Sequence, residues 1–329
     1  MSLLTPLLLL ISSLALASPL LPRAVPAFTF DGDAPFTVNA DGLTASLTCP
    51  NGNPTTKSPP VLLVHGTATT GQETWADGYV PALKANGYTA CYITIPNRSM
   101  GDMQVNAEYV AYNLHYLSSL SGGLPVAVIA HSQGNPNVQW SLQFWPSTRK
   151  VTRAFVALAP DFNGINLFDS ALSEVCKTGL CQPALWQQSA GSQYYKALHA
   201  TRFTAQVSTT SIWTKYDGIV TPSSRNAQLP GATVISIQDL CPLRPTIHTT
   251  MTVSSAAYSL ALDALNNNGI ASLSRVRKDV FSICLRVSAK NMKSSVADDL
   301  TSLFDNLVKG FIQGARVKSE PAVKAYALS

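Results

Sequence analysis

The segment PVAVIAHSQGNPNVQWSLQFW (residues 125–145) joins an apolar run to a stretch with helical spacing, and a serine stands between them. Residues 125–130 have the composition of a strand buried on both faces of a sheet, and residues 137–145 are expected to be helical. Ser132 is therefore placed at a sharp turn between strand and helix. Such a turn lifts a side chain clear of the sheet, where it can meet a substrate.

A serine hydroxyl is a poor nucleophile at neutral pH. It needs a base, a third group that orients the base, and donors for the developing oxyanion. Small residues two before and two after Ser132 make the turn sterically feasible, although Ala130 stands where the usual motif has glycine. The pentapeptide alone leaves an ordinary turn serine as an equal alternative, and the strand-turn-helix setting favours the nucleophile.

Other apolar runs extend this pattern along the chain. A helix is predicted over 104–120, and further strands are predicted over 61–66, 88–96, 151–160, 210–217 and 233–238. Apolar strands alternating with helices predict an α/β fold, a mostly parallel central sheet with helices on both faces. Residues 294–315 carry an apolar stripe, typical of a helix packed on the body, with a lipid-binding helix as the alternative.

The N-terminus has the composition of a secretory signal. An apolar stretch precedes Ala15-Leu16-Ala17, which fits the small-x-small cleavage rule, so residues 1–17 are expected to be removed and the protein secreted. Arg23 is a candidate end of a short pro-segment, which leaves 24–329 as a single domain. A membrane anchor is the alternative, disfavoured because the apolar run is short and interrupted by proline.

Composition excludes some partners. Charged residues make up 12% of the 329, the net charge is +5, and no basic run occurs, so nucleic acid is not an expected partner. The six cysteines form an even set behind a secretory signal, which favours disulfides over a metal site: Cys49, Cys91, Cys176, Cys181, Cys241 and Cys284. A metal site would need close ligand pairs with histidines nearby, and only Cys176 and Cys181 are close.

The oxyanion donors are expected from two loops. The segment VLLVHGT (61–67) is predicted to be a buried strand ending in His-Gly. This pattern is similar to the loop that donates one oxyanion N–H in enzymes whose serine nucleophile lies on such a turn. We therefore expect the backbone N–H groups of Thr67 and Gln133 to serve as donors. The Thr67 hydroxyl is a candidate third donor.

The base must be one of five histidines. The turn is expected to point His131 away from the serine, His65 lies in the oxyanion loop, His115 is expected in solvent, and His199 has no local context. His248 follows the last clear strand and satisfies the order nucleophile, acid, base. We therefore assign the base to His248.

The acid should follow a strand between Ser132 and His248. Asp217 ends the predicted strand 210–217 and precedes a glycine, so it is the first choice. Asp161 follows the strand 151–160 and is the second choice, and Asp239 is close to the base in sequence. Any of the three carboxylates could instead cap a helix or a turn.

At this level of detail the chain resembles fungal lipases of the Candida antarctica lipase B type, within the α/β-hydrolases. The matching pieces cover most of 42–250 in the family's order: GLTASLTC (42–49), PPVLLVHGTATTG (59–71), GYTACYITIP (87–96), QVNAEYV (104–110), LPVAVIAHSQG (124–134), FWPSTRKVTRAFVALAPDFNG (144–164), LWQQSAGS (185–192) and YDGIVTP (216–222). The resemblance implies an α/β-hydrolase fold and lipase or carboxylesterase activity without metal or cofactor. The substrate would be a lipid or a small-molecule ester. The enzyme would be a monomer that contacts a lipid–water interface transiently.

The resemblance also carries over site residues. It places the nucleophile at Ser132, the acid at Asp217 and the base at His248, with Thr67 and Gln133 forming the oxyanion hole. It implies the disulfides Cys49–Cys91 and Cys241–Cys284, which leaves Cys176 and Cys181 to pair locally. Asn97-Arg98-Ser99 is a glycosylation sequon close to the family's own.

The chain departs from the family at several positions. His131 replaces a tryptophan that shapes the pocket, and His65 replaces a proline ahead of the oxyanion loop. Residues 163–172 are a candidate lid, with an ordinary excursion above the sheet as the equal alternative. Two other functions stay open: a secreted acyltransferase with the same triad, and a non-catalytic binder, which the complete triad disfavours.

Overall fold

The computed structural model describes residues 26–166, 176, 180–293 and 314–328. The predicted signal peptide and pro-segment lie outside the described residues. So do most of the candidate lid and of the segment 294–315.

A seven-stranded sheet forms the centre of the described structure. The strands are β1 Leu47–Thr48, β2 Pro60–Val64, β3 Thr89–Ile93, β4 Val126–His131, β5 Thr152–Leu158, β6 Thr209–Trp213 and β7 Thr233–Ser236. Their order in the sheet is β1-β3-β2-β4-β5-β6-β7, with β1 antiparallel to β3 and every other neighbouring pair parallel. The predicted α/β fold with a mostly parallel sheet is confirmed.

Helices connect the strands and cover the sheet. They are α1 Ala40–Ala45, α2 Gly71–Trp75, α3 Tyr79–Ala85, α4 Met103–Leu120, α5 Gly134–Phe144, α6 Thr148–Val151, α7 Pro183–Gln188, α8 Gln193–Ala200, α9 Ser223–Asn226, α10 Ile237–Leu240, α11 Ser255–Asn266, α12 Leu273–Val276 and α13 Val280–Leu285. Short 3-10 turns lie at Pro96–Ser99, Thr249–Thr252, Arg277–Asp279 and Ala325–Ala327. None of the helices in the described part of the chain combines the length and the hydropathy that a membrane span requires.

The core lies on both faces of the sheet. Leu63 and Ile129 pack in a cluster that includes residues of α3 and α11, whereas Leu62 and Val128 pack in a cluster that includes residues of α4 and α5. Because successive strand residues point to opposite faces, a strand covered on both sides must be apolar throughout. This explains the unbroken apolar runs of the sequence.

Each predicted strand begins within one residue of the observed strand, but β3 ends three residues and β6 four residues before the predicted end. The strand β6 ends at Trp213 rather than at Asp217. A turn therefore separates the strand from Asp217, and the Thr214 hydroxyl within that turn donates to the carbonyl of Thr246 (2.6 Å). The carboxylate is thus placed by a loop and not by the end of the strand.

Three disulfides join the described cysteines. Cys49–Cys91 links the residue after β1 to β3, Cys176–Cys181 closes a local loop, and Cys241–Cys284 links the residue after α10 to α13. The last bridge spans 43 positions of sequence. Since His248 lies between its two cysteines, the bridge limits the freedom of the chain that carries this residue.

Candidate active site

Ser132 stands on a strained turn between β4 and α5. Its φ is 54°, a left-handed value that non-glycine residues seldom adopt and that costs free energy. The turn is held by hydrogen bonds: Ser132 N–H donates to the Leu158 carbonyl (3.0 Å), and the Asn135 amide donates to the Ser132 carbonyl (2.8 Å). The predicted strand-turn-helix setting is therefore present, and its strain is offset by neighbouring contacts.

Two glycines let the backbone approach the serine closely. A Cβ on Gly134 would lie 2.8 Å from the carbonyl oxygens of Val64 and His65, and a Cβ on Gly66 would lie 2.7 Å from the Cβ of Ser132. Any side chain at either position would collide with its neighbours. The loop after β2 is thereby brought against the serine.

His248 lies beside the serine, although 116 residues separate them. Its Nε2 is 3.0 Å from Ser132 Oγ, and it directly precedes the 3-10 turn Thr249–Thr252. Its ring is buried, with 4% of the residue exposed. A hydrogen bond of this length places an imidazole where it can take the serine proton.

Asp217 is the carboxylate that meets His248. Its Oδ2 is 2.7 Å from His248 Nδ1, and its Oδ1 accepts the N–H groups of Ile219 (3.0 Å) and Val220 (2.8 Å). A carboxylate of this kind accepts only, so Nδ1 carries the proton and the Nε2 lone pair faces Ser132.

The buried pair shifts both pKa values toward its charged form. Burial alone would raise the pKa of Asp217, but attraction to His248 and the hydrogen bonds it accepts outweigh burial and lower that pKa below 3.8. Burial alone would lower the pKa of His248, but attraction to and hydrogen bonding with Asp217 raise it above 6.5. A more basic imidazole is a stronger proton acceptor.

The two other candidate acids have different surroundings. Asp239 caps α10: its carboxylate accepts the N–H of Ser236, whose hydroxyl in turn accepts the N–H of Asp239. Asp161 is fully buried just after β5, and neither carboxyl oxygen has a hydrogen-bond partner among the described residues. Burial raises the pKa of Asp161 to about 7. Neither residue is the partner of His248.

The expected oxyanion donors belong to the two segments that meet at the serine. Thr67 follows the close contact at Gly66, and Gln133 follows Ser132. Among the described residues, neither backbone N–H donates to a protein acceptor. The Thr67 hydroxyl, which we considered as a third donor, instead donates to Gln188 Oε1 (2.9 Å).

His131 lies against His248 and, among the described residues, makes no hydrogen bond to Ser132. Its ring centroid is 4.7 Å from that of His248, and its Nε2 donates to the His248 carbonyl (3.0 Å). Burial, followed by repulsion from His248, lowers the pKa of His131 to about 3, so the ring is neutral at pH 7. No sequence signal could reveal this contact, because it joins residues 117 positions apart.

His115 is placed differently from the prediction. It is buried, its ring stacks on Phe28 and Phe30, and its Nε2 is 2.8 Å from Ser147 Oγ. His199 bonds the carbonyl of Phe162 (2.9 Å). These two histidines bind parts of the structure other than the triad.

Asn97 is exposed in the Pro96–Ser99 turn, where Asn97, Arg98 and Ser99 all have positive φ. The position is open to a glycan. Within the described ranges, no three His, Cys, Asp or Glu side chains form a group that could hold a metal ion.

The chain is similar to two lipases over most of its length, while no family model matches it. Lipase B of Pseudozyma antarctica is 29% identical over 320 residues, which span 94% of this chain and 90% of that protein. The crystal structure of Aspergillus fumigatus lipase B is 31% identical and has a TM-score of 0.82, covering 93% of this chain and 76% of that one. Both similarities extend far beyond the serine motif.

Proposed function

Because this chain belongs to the lipase B family of α/β-hydrolases, we propose that it is a secreted serine hydrolase that cleaves acylglycerol-type esters through an acyl-enzyme on Ser132. The chain is an ester hydrolase of the lipase and carboxylesterase class. We infer in addition the mechanism of this enzyme, its catalytic residues and its secretion. The observation that carries it is the pair of short contacts from His248, 3.0 Å to Ser132 and 2.7 Å to Asp217.

In the first step, Ser132 Oγ attacks the ester carbonyl carbon while His248 Nε2 takes the hydroxyl proton. The carbonyl oxygen becomes an anion and is stabilised by the N–H groups of Thr67 and Gln133. Such fixed donors act strongly because they are already oriented and partly shielded from water. Asp217 stabilises the imidazolium and keeps its Nδ1–H in place.

In the second step, the imidazolium gives its proton to the leaving alcohol, and the acyl group stays on Ser132. Water then attacks the acyl carbon while His248 removes a proton from it. Collapse of the second oxyanion breaks the bond to Ser132 Oγ, which takes that proton from His248, and the acid is released. An alcohol attacking in place of water would make the enzyme an acyltransferase.

Secretion is supported by the N-terminal sequence and by the three disulfides, which persist in oxidising compartments. N-terminal sequencing of the protein collected from the medium tests this. We expect the mature chain to begin at Ser18, or at Ala24 if a pro-segment ends at Arg23. A chain that keeps Met1 would contradict secretion by this signal.

The mechanism is tested by Ser132→Ala with p-nitrophenyl butyrate as the substrate. Loss of the nucleophile typically costs about 10⁶-fold in kcat, so turnover should become undetectable while the circular dichroism spectrum is unchanged. The control is Ser121→Ala, because Ser121 is also buried but follows α4 and bonds the Ser118 carbonyl (3.0 Å). A Ser132→Ala enzyme with wild-type rates would overturn the proposal.

Three further measurements sharpen the assignment. A fluorophosphonate probe should label wild type at Ser132, and the absence of labelling would favour a non-catalytic binder. A series of p-nitrophenyl esters, measured below and above their solubility limits, reports chain-length preference and contact with a lipid–water interface. The ratio of hydrolysis to transfer products in the presence of an added alcohol separates a hydrolase from an acyltransferase.

A further inference from the structure

His65 is buried directly after β2, in the loop that carries Thr67, and the triad does not use it. The Ile95 N–H donates to its Nε2 (3.0 Å), so this ring nitrogen is the acceptor and the proton sits on Nδ1. The Nδ1–H then donates to the carbonyl of Gly66 (2.9 Å). The hydrogen bonds therefore define both the tautomer and the direction of the ring.

The Gly66 carbonyl belongs to the same peptide unit as the Thr67 N–H. A trans peptide is planar, and its C=O and N–H point in opposite directions. Holding the Gly66 oxygen on one side therefore fixes the direction of the Thr67 N–H on the other. Thr69 Oγ1 donates to the same oxygen (3.1 Å), which strengthens the hold.

The next two peptide units are fixed from a neighbouring turn. Ala68 N–H donates to the carbonyl of Arg98, and Arg98 Nε donates to the carbonyl of Ala68, both at 2.8 Å. Ala68 has a φ of 61°, which a non-glycine residue keeps only where its surroundings hold it. Each of the three consecutive peptide units from Gly66 to Thr69 thus has a hydrogen bond to a side chain or to the neighbouring turn that contains Arg98.

We propose that His65 is a positioning residue, whose Nδ1–H holds the Gly66 carbonyl so that the Thr67 N–H faces the oxyanion of the bound ester. This inference rests on the proposed function, in which that N–H stabilises the oxyanion. Burial lowers the pKa of His65 to about 4, so the ring is neutral at pH 7 and keeps its acceptor for Ile95. A proton on Nε2 would turn this acceptor into a second donor facing an N–H.

A matched pair of variants separates positioning from packing. In His65→Asn, the amide nitrogen can take the place of Nδ1 and keep the bond to Gly66, but nothing accepts from Ile95. In His65→Gln, the amide oxygen can take the place of Nε2 and keep the bond from Ile95, but the donor to Gly66 is lost. Both variants remove the same ring, so the loss of packing is similar.

The expected effect is a split in kcat between the two variants. Removal of an oxyanion donor costs about 100- to 1000-fold, so a donor that is only turned away by loss of its anchor should cost about 10- to 100-fold. We expect that loss in kcat for His65→Gln with KM nearly unchanged, and a far smaller loss for His65→Asn. Rates are divided by the number of active sites titrated with a fluorophosphonate.

A transition-state analogue gives an independent readout. With an alkyl trifluoromethyl ketone, Ser132 Oγ adds to the carbonyl carbon, its proton passes to His248, and the carbonyl oxygen becomes an anion in the hole. The inhibition constant of His65→Gln should rise by the same factor as its kcat/KM falls. A purely structural role of His65 would change the melting temperature without this correlation.

The proposal is overturned if His65→Gln keeps the wild-type kcat, or if both variants lose equal activity and equal stability. If His65→Gln does not fold, Thr69→Val is used instead, because it removes the other donor to the Gly66 carbonyl. For the proposal to stand, this variant must bind the ketone more weakly and have a lower kcat. Failure of the proposed function would appear separately, as activity remaining in Ser132→Ala.

Discussion

The two sides of Ser132 are built from different interactions. On one side, a buried carboxylate faces an imidazole: Asp217 bonds His248, and Asp161 lies buried near enough to contribute to the His248 pKa. On the other side, the loop that carries Thr67 is held by hydrogen bonds from the neutral side chains of His65 and Thr69 and from Arg98, whose charge is paired with Glu73 and not with the triad. Its neighbouring ion pair, Arg98–Glu73, is partly exposed.

This difference separates two properties of the reaction. Charges next to His248 set the pH at which the base loses its proton, whereas neutral donors set how well the oxyanion is stabilised at any pH. Changes on the base side, which comprises Asp217, Asp161 and His248, should therefore shift the pH profile of the reaction. Changes on the oxyanion side, which is the loop that carries Thr67, should lower kcat without shifting the pH profile.

The base side gives the largest expected effect. Asp217→Asn removes the charge and the acceptor that hold the His248 tautomer, which should lower kcat by about 10⁴-fold. In wild type, kcat/KM should fall as the pH drops through the raised pKa of His248, above 6.5, because a protonated imidazole cannot accept the serine proton. In Asp217→Asn the midpoint of this fall should move to lower pH.

Asp239→Asn is the matched control, because Asp239 also follows a strand but only caps α10. It should lower the melting temperature slightly and leave the pH profile in place. An equal shift in both variants would mean that general charge, and not the Asp217–His248 contact, sets the profile.

The oxyanion side gives a smaller effect without a pH shift. Arg98→Ala removes the bond to the Ala68 carbonyl and the pair with Glu73 (2.6 Å). We expect kcat to fall about tenfold, a fraction of the cost of losing a donor outright. The acid midpoint of kcat/KM should not change, and a shift would contradict the comparison.

Arg275→Ala is the control for Arg98→Ala. Arg275 also joins a carboxylate, Asp263, and a carbonyl, Ile270, but its partners lie at the end of α11 and after it. Exposed ion pairs contribute little to stability because water and salt screen them, so both variants should lose similar, small amounts of stability. Only Arg98→Ala should lose activity.

The smallest effect is expected from Asp161→Asn, which keeps the shape of the side chain and removes its charge. The Asp161 carboxylate contributes to raising the pKa of His248. Its removal should move the acid midpoint of kcat/KM to slightly lower pH, with kcat at the plateau nearly unchanged. A midpoint that stays in place would show that Asp161 carries a proton throughout this range.

Much of the fold could be predicted from the sequence. Strands buried on both faces must be apolar throughout, so runs such as 61–66 and 125–130 were recognisable without knowledge of their neighbours. Helix α11 was missed, although it packs on the sheet. The end of β6 was misplaced because residues 214–217 continue the composition of a strand while their hydrogen bonds go to side chains and distant loops.

Residues of the candidate site could be predicted where a local turn, or the order of the residues along the chain, was sufficient to identify them. Ser132 could be found because its elbow is local, and His248 and Asp217 because the order along the chain narrows the choice. The bonds of His131 to His248 and of Ile95 to His65 could not be predicted, because they join distant residues that share no periodic or local pattern. The same holds for Asp161, whose isolation depends on every element packed around it.

The sequence by itself determined the parallel sheet, the elbow at Ser132 and the set of residues from which base and acid had to come. Each of these depends on neighbouring residues in the chain, through strand burial or turn sterics. Only the tertiary structure decided that Asp217 and not Asp161 faces His248, and that the Ile95 N–H bonds His65 and so sets its tautomer. These choices depend on distances of about 3 Å between loops far apart in sequence, and such distances follow from packing of the whole chain.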